Sequence, residues 1–153
     1  MRRPILVGST YFFHSFPDFK TKDIDQVLFI DNPNFTYRQT SGPTSCLFEW
    51  KVMSPEEYIE YHLKTKLSMT VGKWLVKRVC DEVGFTLEHL EKLRPVFEKM
   101  DDRHLYEKII FDYIIENQSW DLTKEQLEKA YKEYKNARPN KKINYNKGDN
   151  YEN

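Results

Sequence analysis

Two aspartates separated by one residue, Asp23 and Asp25 in "DIDQVLFID", open an apolar run early in the chain. In an extended strand successive side chains alternate faces, so these carboxylates project to one side, roughly 6 to 7 Å apart. Like charges at that spacing repel and add nothing to a core, and a divalent cation compensates them well. Carboxylate oxygens are natural ligands of magnesium, and a pair of such ions can clamp the attacking and leaving oxygens of a phosphoryl or nucleotidyl transfer. Asp31 shares their parity but lies about 20 Å along the strand from Asp25, at a rise near 3.3 Å per residue, and cannot join them. Glu49 in "CLFEWKV" is the better third ligand. There Cys46, Phe48, Trp50 and Val52 form the apolar face and leave Leu47, Glu49 and Lys51 on the other, so a strand paired beside the first lets Glu49 approach the aspartates. The plainer alternative is a solvated strand edge with its charges in water.

Upstream, Gly8-Ser9 follows the apolar run Ile5, Leu6, Val7 and opens a segment with the makings of a short helix. Glycine lets backbone come close to a phosphate, and the amides and hydroxyl of a strand-to-helix turn can hold its oxygens. The ordinary alternatives are a turn glycine and a helix cap.

The elements that must position these residues fall into two regimes that change near Met53. Before it come three β-rich runs, "PILVGS", "DIDQVLFID" and "SCLFEWKVM", punctuated by Pro17, Asn32-Pro33 and Gly42-Pro43. After it the pattern is helical. Ser54, Pro55 and Glu57 form a capping-box start for "SPEEYIEYHLKTK". "MTVGKWLVKRVCDEVG" places Val71, Leu75, Val79 and Val83 on one stripe, with Gly84 as its stop. Leucines 87, 90 and 93 precede a break at Pro95. "RHLYEKIIFDYIIEN" has the densest apolar face and is expected to be the central helix of the second half. "LTKEQLEKAYKEYKNA" starts with Thr123 and Gln126 in capping-box positions and has a thin apolar side, as a surface helix would. From 139 to 153 no hydrophobic pattern remains, which predicts a disordered tail.

The Gly-Ser turn, the thirteen residues between it and Asp-Ile-Asp, and a later strand carboxylate together resemble the nucleotidyltransferase superfamily of the DNA polymerase β type. Residues 4 to 52 carry the resemblance. It implies an α+β fold, with a small mixed sheet of that type over residues 1 to 53 and a helical region over 54 to 138 packed on it. It further implies that Gly8 and Ser9 hold a triphosphate, that Asp23 and Asp25 bind magnesium, and that Glu49 completes the metal site which activates the acceptor. The implied reaction moves a nucleoside monophosphate from a nucleoside triphosphate, such as ATP, to an acceptor hydroxyl on a protein, a small molecule or a nucleic acid end. Members of the family often reach the triphosphate with a basic residue from the helical part. Within "KTKLSMTVGKWLVKR" that is Lys73 beside Gly72, set against a merely solvated basic face formed with Lys64, Lys66, Lys77 and Arg78. Three departures keep a catalytically inactive, nucleotidyltransferase-like binding protein in view as the alternative. Glu stands where the third carboxylate is usually Asp, the loop "TYFFHSFPDFKTK" is aromatic, and the helix that commonly precedes the first strand is absent.

Composition narrows the partners. Twenty-four basic residues balance twenty-four acidic ones in 153, so no overall field points to nucleic acid or a membrane surface. A helical nucleic-acid-binding module over 69 to 138 would need a concentrated basic face. Cys46 and Cys80 lie far apart in apolar surroundings, as buried thiols of a reducing cytosol rather than a disulfide or zinc knuckle. His14, His62, His89 and His104 show no metal-ligand spacing, and Trp74 and Trp120 read as packing anchors. The apolar run after Pro4 is too short for a signal peptide and no eighteen apolar residues run together, so a cytoplasmic protein is expected.

Overall fold

A computed structural model describes residues 2–20, 23–65, 68–101 and 104–137, apart from the side chains of 68 and 69. The expected tail over 139 to 153, and Lys66, lie outside the described residues. The elements run β1 (Ile5–Val7), α1 (Gly8–Phe13), β2 (Ile24–Ile30), β3 (Tyr37–Ser41), β4 (Ser45–Lys51), α2 (Pro55–Thr65), α3 (Ser68–Val71), a 3-10 turn (Gly72–Leu75), α4 (Lys77–Val83), α5 (Leu87–Glu91), α6 (Arg94–Glu98), α7 (Leu105–Asn117) and α8 (Lys124–Ala137). The fold is α+β, a four-stranded mixed sheet followed by a helical region.

The sheet order is β1-β2-β4-β3. β1 runs antiparallel to β2, with Val7 opposite Asp25. β2 is parallel to β4, pairing Asp25 with Cys46 and Leu28 with Glu49. β3 closes the edge antiparallel to β4 through a hairpin in which Gly42 N–H donates to the Ser45 carbonyl at 2.8 Å. β3 was not among the expected strands. Arg38, Gln39, Thr40 and Ser41 are all exposed, and an edge strand that buries little carries no apolar alternation to read.

Helix boundaries follow their local chemistry. Ser54 and Glu57 exchange bonds at 3.0 and 3.2 Å, and Thr123 and Gln126 do the same at 2.8 and 3.1 Å, so both capping boxes form. Gly84 ends α4 at φ 72, in the left-handed region where glycine meets no steric penalty. Pro95 falls in the first turn of α6 and separates it from α5. The continuous helix expected over 69 to 84 does not form. It breaks into α3, the 3-10 turn and α4, with Val76 extended at φ -101 and ψ 119. The stripe could not anticipate this, because the middle of the segment is buried all round: Gly72, Lys73, Trp74, Leu75 and Val76 are all in the interior.

One core joins both regimes. One face of the sheet, formed by Ile5, Val7, Val27, Phe29, Cys46, Phe48 and Trp50, packs against Tyr58, Trp74, Leu75, Ile110, Phe111 and their neighbours. Trp74 is its hub, stacked on Phe85 at 4.2 Å and in ring contact with Trp50 and Tyr58. Its carbonyl accepts from Trp120 Nε1 at 3.0 Å and from the Cys80 thiol at 3.1 Å. Such aromatic pairs add about 0.5–1.5 kcal/mol each beyond area burial. Helix α7 is central, with Ile110, Phe111 and Ile114 buried, whereas α8 buries only Ala130 and Tyr131. The aromatic loop docks α8. Phe16 stacks on Tyr131 at 4.5 Å, Phe13 on Tyr134 at 5.6 Å, and Asp18 accepts from Tyr131 and pairs with Lys135. No described helix is long and apolar enough to cross a membrane.

Candidate functional site

Antiparallel pairing of β1 with β2 brings the end of one strand to the start of the other. Gly8 therefore lands directly against Asp25: at φ +81, a Cβ placed on Gly8 would lie 2.9 Å from Asp25 Oδ2. Only glycine allows both the backbone conformation and the approach. Ser9 follows in the first turn of α1, and Thr10 Oγ1 donates to the Asp23 carbonyl at 3.5 Å. The Gly8-Ser9 turn and both aspartates thus share one corner of the sheet. Replacing Gly8 with alanine is expected to lower stability by about 2 kcal/mol, through the strained φ and the crowded carboxylate, as read from urea unfolding.

Asp25 shares its parity with Val27 and Phe29, so its half-buried carboxylate sits at the rim of the core-facing side. Burial raises its pKa, the Lys73 ammonium opposes the rise, and the Asp23 charge adds to it. Lys73 is only 4 % exposed, and its ammonium lies 4.2 Å over the Phe48 ring. A buried lysine held on an aromatic face is not a member of a solvated basic stripe. The other described lysine of that segment's C-terminal half, Lys77, pairs with Asp81 at the surface. Tyr106, at the start of α7, borders the same corner. Burial raises its hydroxyl pKa, the charges of Glu107 and Asp25 add to this, and a hydrogen bond from the Ser9 backbone opposes it. Nothing in the sequence marked Tyr106, since at helical spacing it reads as one more core aromatic.

Glu49 does not join the group. On β4 the core-facing residues are Cys46, Phe48 and Trp50, and Glu49 projects from the opposite face, where it accepts from Arg38 Nε at 2.6 Å. It registers with Leu28, three residues beyond Asp25. The β4 side chain that stands next to Asp25 is Cys46, whose sulfur contacts Gln39 Nε2 at 2.9 Å. Asp31, as its distance required, is elsewhere and bonded to Arg2. Among the described residues no three of His, Cys, Asp and Glu gather into a group that would hold a metal ion.

The donor set fits one magnesium rather than two. That ion commonly takes one or two carboxylates and fills its remaining positions with water and substrate phosphate oxygens, which Asp23 and Asp25 beside a glycine turn would allow. A second ion on the acceptor side needs a further carboxylate on this face, and there the neighbouring strand offers a thiol. Two of the histidines have structural partners. His62 is bonded inside the core, and His89 closes a capping box with Thr86 while reaching Glu56 at 3.0 Å. Comparison of the chain with protein-family models, curated proteins and solved structures finds no match.

Proposed function

We propose that the chain is a nucleotidyltransferase-like protein that binds a nucleoside triphosphate, ATP among them, together with one magnesium ion, and does not go on to transfer the nucleotide. The observation that carries this reading is the corner itself. Gly8 is packed against Asp25, Asp23 lies alongside, and the buried Lys73 is close enough for its charge to lower the pKa of the same carboxylate. The Gly8-Ser9 backbone would approach the phosphates, Lys73 would neutralise part of their charge, and Asp23 with Asp25 would hold the cation. A magnesium ion bound there would offset phosphate charge and polarise a phosphoryl oxygen. Cys46 in register with Asp25, and Glu49 on the far face bonded to Arg38, support binding without turnover, because among the described residues β4 sets a thiol rather than its carboxylate beside Asp25.

The second reading is a working nucleotidyltransferase, in which an acceptor hydroxyl attacks the α-phosphorus and pyrophosphate leaves. The retained Asp23 and Asp25 beside the glycine turn favour it. Calorimetric titration of ATP and the other triphosphates, with and without magnesium, tests both readings. It should be run on wild type, Asp25→Asn and Asp23→Asn/Asp25→Asn, alongside an assay for pyrophosphate release. Magnesium-dependent binding weakened at least tenfold in Asp25→Asn, without pyrophosphate release, is the expected result. Release by wild type would move the conclusion to the enzyme, and no binding by any triphosphate would end both readings. Asp25→Asn is expected to keep or slightly raise stability, because it removes a carboxylate whose ionisation burial and Asp23 disfavour.

A further inference from the structure

The five arginines among the described residues divide unevenly. Arg2 bonds to both carboxylate oxygens of Asp31 at 3.2 Å and lies 3.8 Å from Glu82. Arg38 is paired with Glu49, and Arg94 with Glu91. Arg3 and Arg78 form no ion pair among the described residues, and both line the same cleft. It is an open cleft of about 720 Å³ whose lining Leu28, Phe29, Arg2, Asp31 and Glu82 complete. That size falls within the usual range for small-ligand sites, about 300–1,000 Å³.

The charges in the cleft are not evenly spent. Asp31 and Glu82 are both engaged by Arg2, which ties the N-terminal arm to the end of β2 and to α4. Arg3 comes from that arm and Arg78 from the first turn of α4, so two elements distant in sequence each contribute a guanidinium without an ion pair among the described residues to one concavity, whose lining sets three arginines against two carboxylates. Like charges so placed gain from an anion between them, and the guanidinium fork matches the oxygens of a phosphate in two-point contact. A carboxylate ligand would compete poorly for two forks at once. We infer that this cleft binds a terminal phosphate of a small ligand between Arg3 and Arg78.

The site is separate from the glycine-aspartate corner. Its β2 lining is Leu28, Phe29 and the following Asp31, towards the end of that strand opposite Asp25, and it stands whether or not a nucleotide binds at Gly8. The test is calorimetric titration of pyrophosphate, inorganic phosphate and AMP at low salt. The proteins are wild type, Arg3→Ala, Arg78→Ala, Arg3→Lys/Arg78→Lys and Asp25→Asn. Both arginines are exposed, so their replacement should leave the fold intact, as far-UV circular dichroism will verify. Pyrophosphate is expected to bind wild type and to weaken at least tenfold in each alanine variant. The double lysine variant should recover only a minor part of that loss, since it keeps the charge and loses the fork. Binding should persist in Asp25→Asn. Of inorganic phosphate and AMP, the tighter ligand tells whether the natural phosphate is free or carried on a nucleoside. Pyrophosphate binding that survives both alanine substitutions, disappears in Asp25→Asn, or is absent from wild type would overturn the inference.

Discussion

Gly72→Ala should be the most disruptive small substitution in the chain, costing about 3 kcal/mol. A Cβ at this position would fall inside the van der Waals surface of the Glu107 carboxylate, which is buried at 2 % exposure. Neither side can yield cheaply. Gly72 opens the 3-10 turn that carries Lys73 and Trp74, and Glu107 sits in the first turn of α7, the helix at the centre of the core. Moving the carboxylate would disturb the approach of Glu107 Oε1 to His104 Nδ1 at 3.1 Å, a contact at ion-pair distance that lacks hydrogen-bond geometry. Overpacking typically costs about 1–3 kcal/mol, and displacing a buried charged group adds to it. Glu107→Ala alone should change stability by no more than about 1 kcal/mol, because it deletes both a packing partner and a poorly satisfied buried charge. In the double variant the alanine methyl would occupy space the carboxylate has left, so about 2 kcal/mol of the Gly72→Ala loss should return. Urea unfolding of the four proteins gives the coupling directly. Additive losses would mean that the crowding at Gly72 does not come from Glu107.

The same segment shows why part of the site escaped a reading of the sequence. The helical stripe through Val71, Leu75, Val79 and Val83 was real, yet it did not reveal a segment buried on every side, where a glycine pressed by a carboxylate and an extended Val76 divide the helix. Where the signal was local, the sequence was enough. Ser54 with Glu57, Thr123 with Gln126, Gly84 and Pro95 each act through chemistry contained within a few residues. The corner of Gly8, Ser9, Asp23 and Asp25 was legible for a related reason, since antiparallel pairing across a short connection brings adjacent strand ends together. Glu49 was misjudged because β2 is apolar on both sides. Ile24, Leu28 and Ile30 alternate with Val27 and Phe29, so the sequence left open which face met the helices, and the Asp25 parity proved to be the core-facing one. On β4 the apolar face was unambiguous, and Glu49 was correctly set opposite it. Only the relation between the two strands was missing, and that is a property of sheet register rather than of either strand. Lys73 posed the converse difficulty. Five basic residues in fifteen suggested a solvated face, while the one beside Gly72 is carried inward with its turn.

Lowering the pH from 7.5 to 4 is expected to remove about 3 kcal/mol of stability through His62 alone. This residue is wholly buried and joins four elements. Trp74 Nε1 donates to His62 Nε2 at 2.9 Å, the Tyr37 hydroxyl lies 3.4 Å from the same nitrogen, and Thr70 Oγ1 lies 3.4 Å from Nδ1. The indole N–H can only donate, so Nε2 must be unprotonated and the neutral ring carries its proton on Nδ1, towards Thr70. Protonating Nε2 would set one N–H against another in a site shielded from water, and burial accordingly pushes the His62 pKa down to about 4. The unfolded chain has the ordinary value near 6.5. Between these values the unfolded state binds more protons than the folded state, so stability rises with pH across that window and is lost as pH falls through it. Asp25 and Asp112, whose pKa values burial raises, titrate with the opposite sign, and they are common to any pair of proteins that differ only at position 62. The effect of His62 is therefore isolated by subtracting the urea-unfolding free energies of His62→Gln from those of wild type at intervals from pH 7.5 to 4. At neutral pH the variant should be less stable by about 1–2 kcal/mol, since an amide cannot satisfy both Trp74 and Thr70 in the same geometry. As the pH falls the wild type should lose that advantage and then become the less stable of the two. Parallel curves would show that His62 takes up a proton as readily in the folded as in the unfolded protein, and the bond from Trp74 would then have to be redrawn.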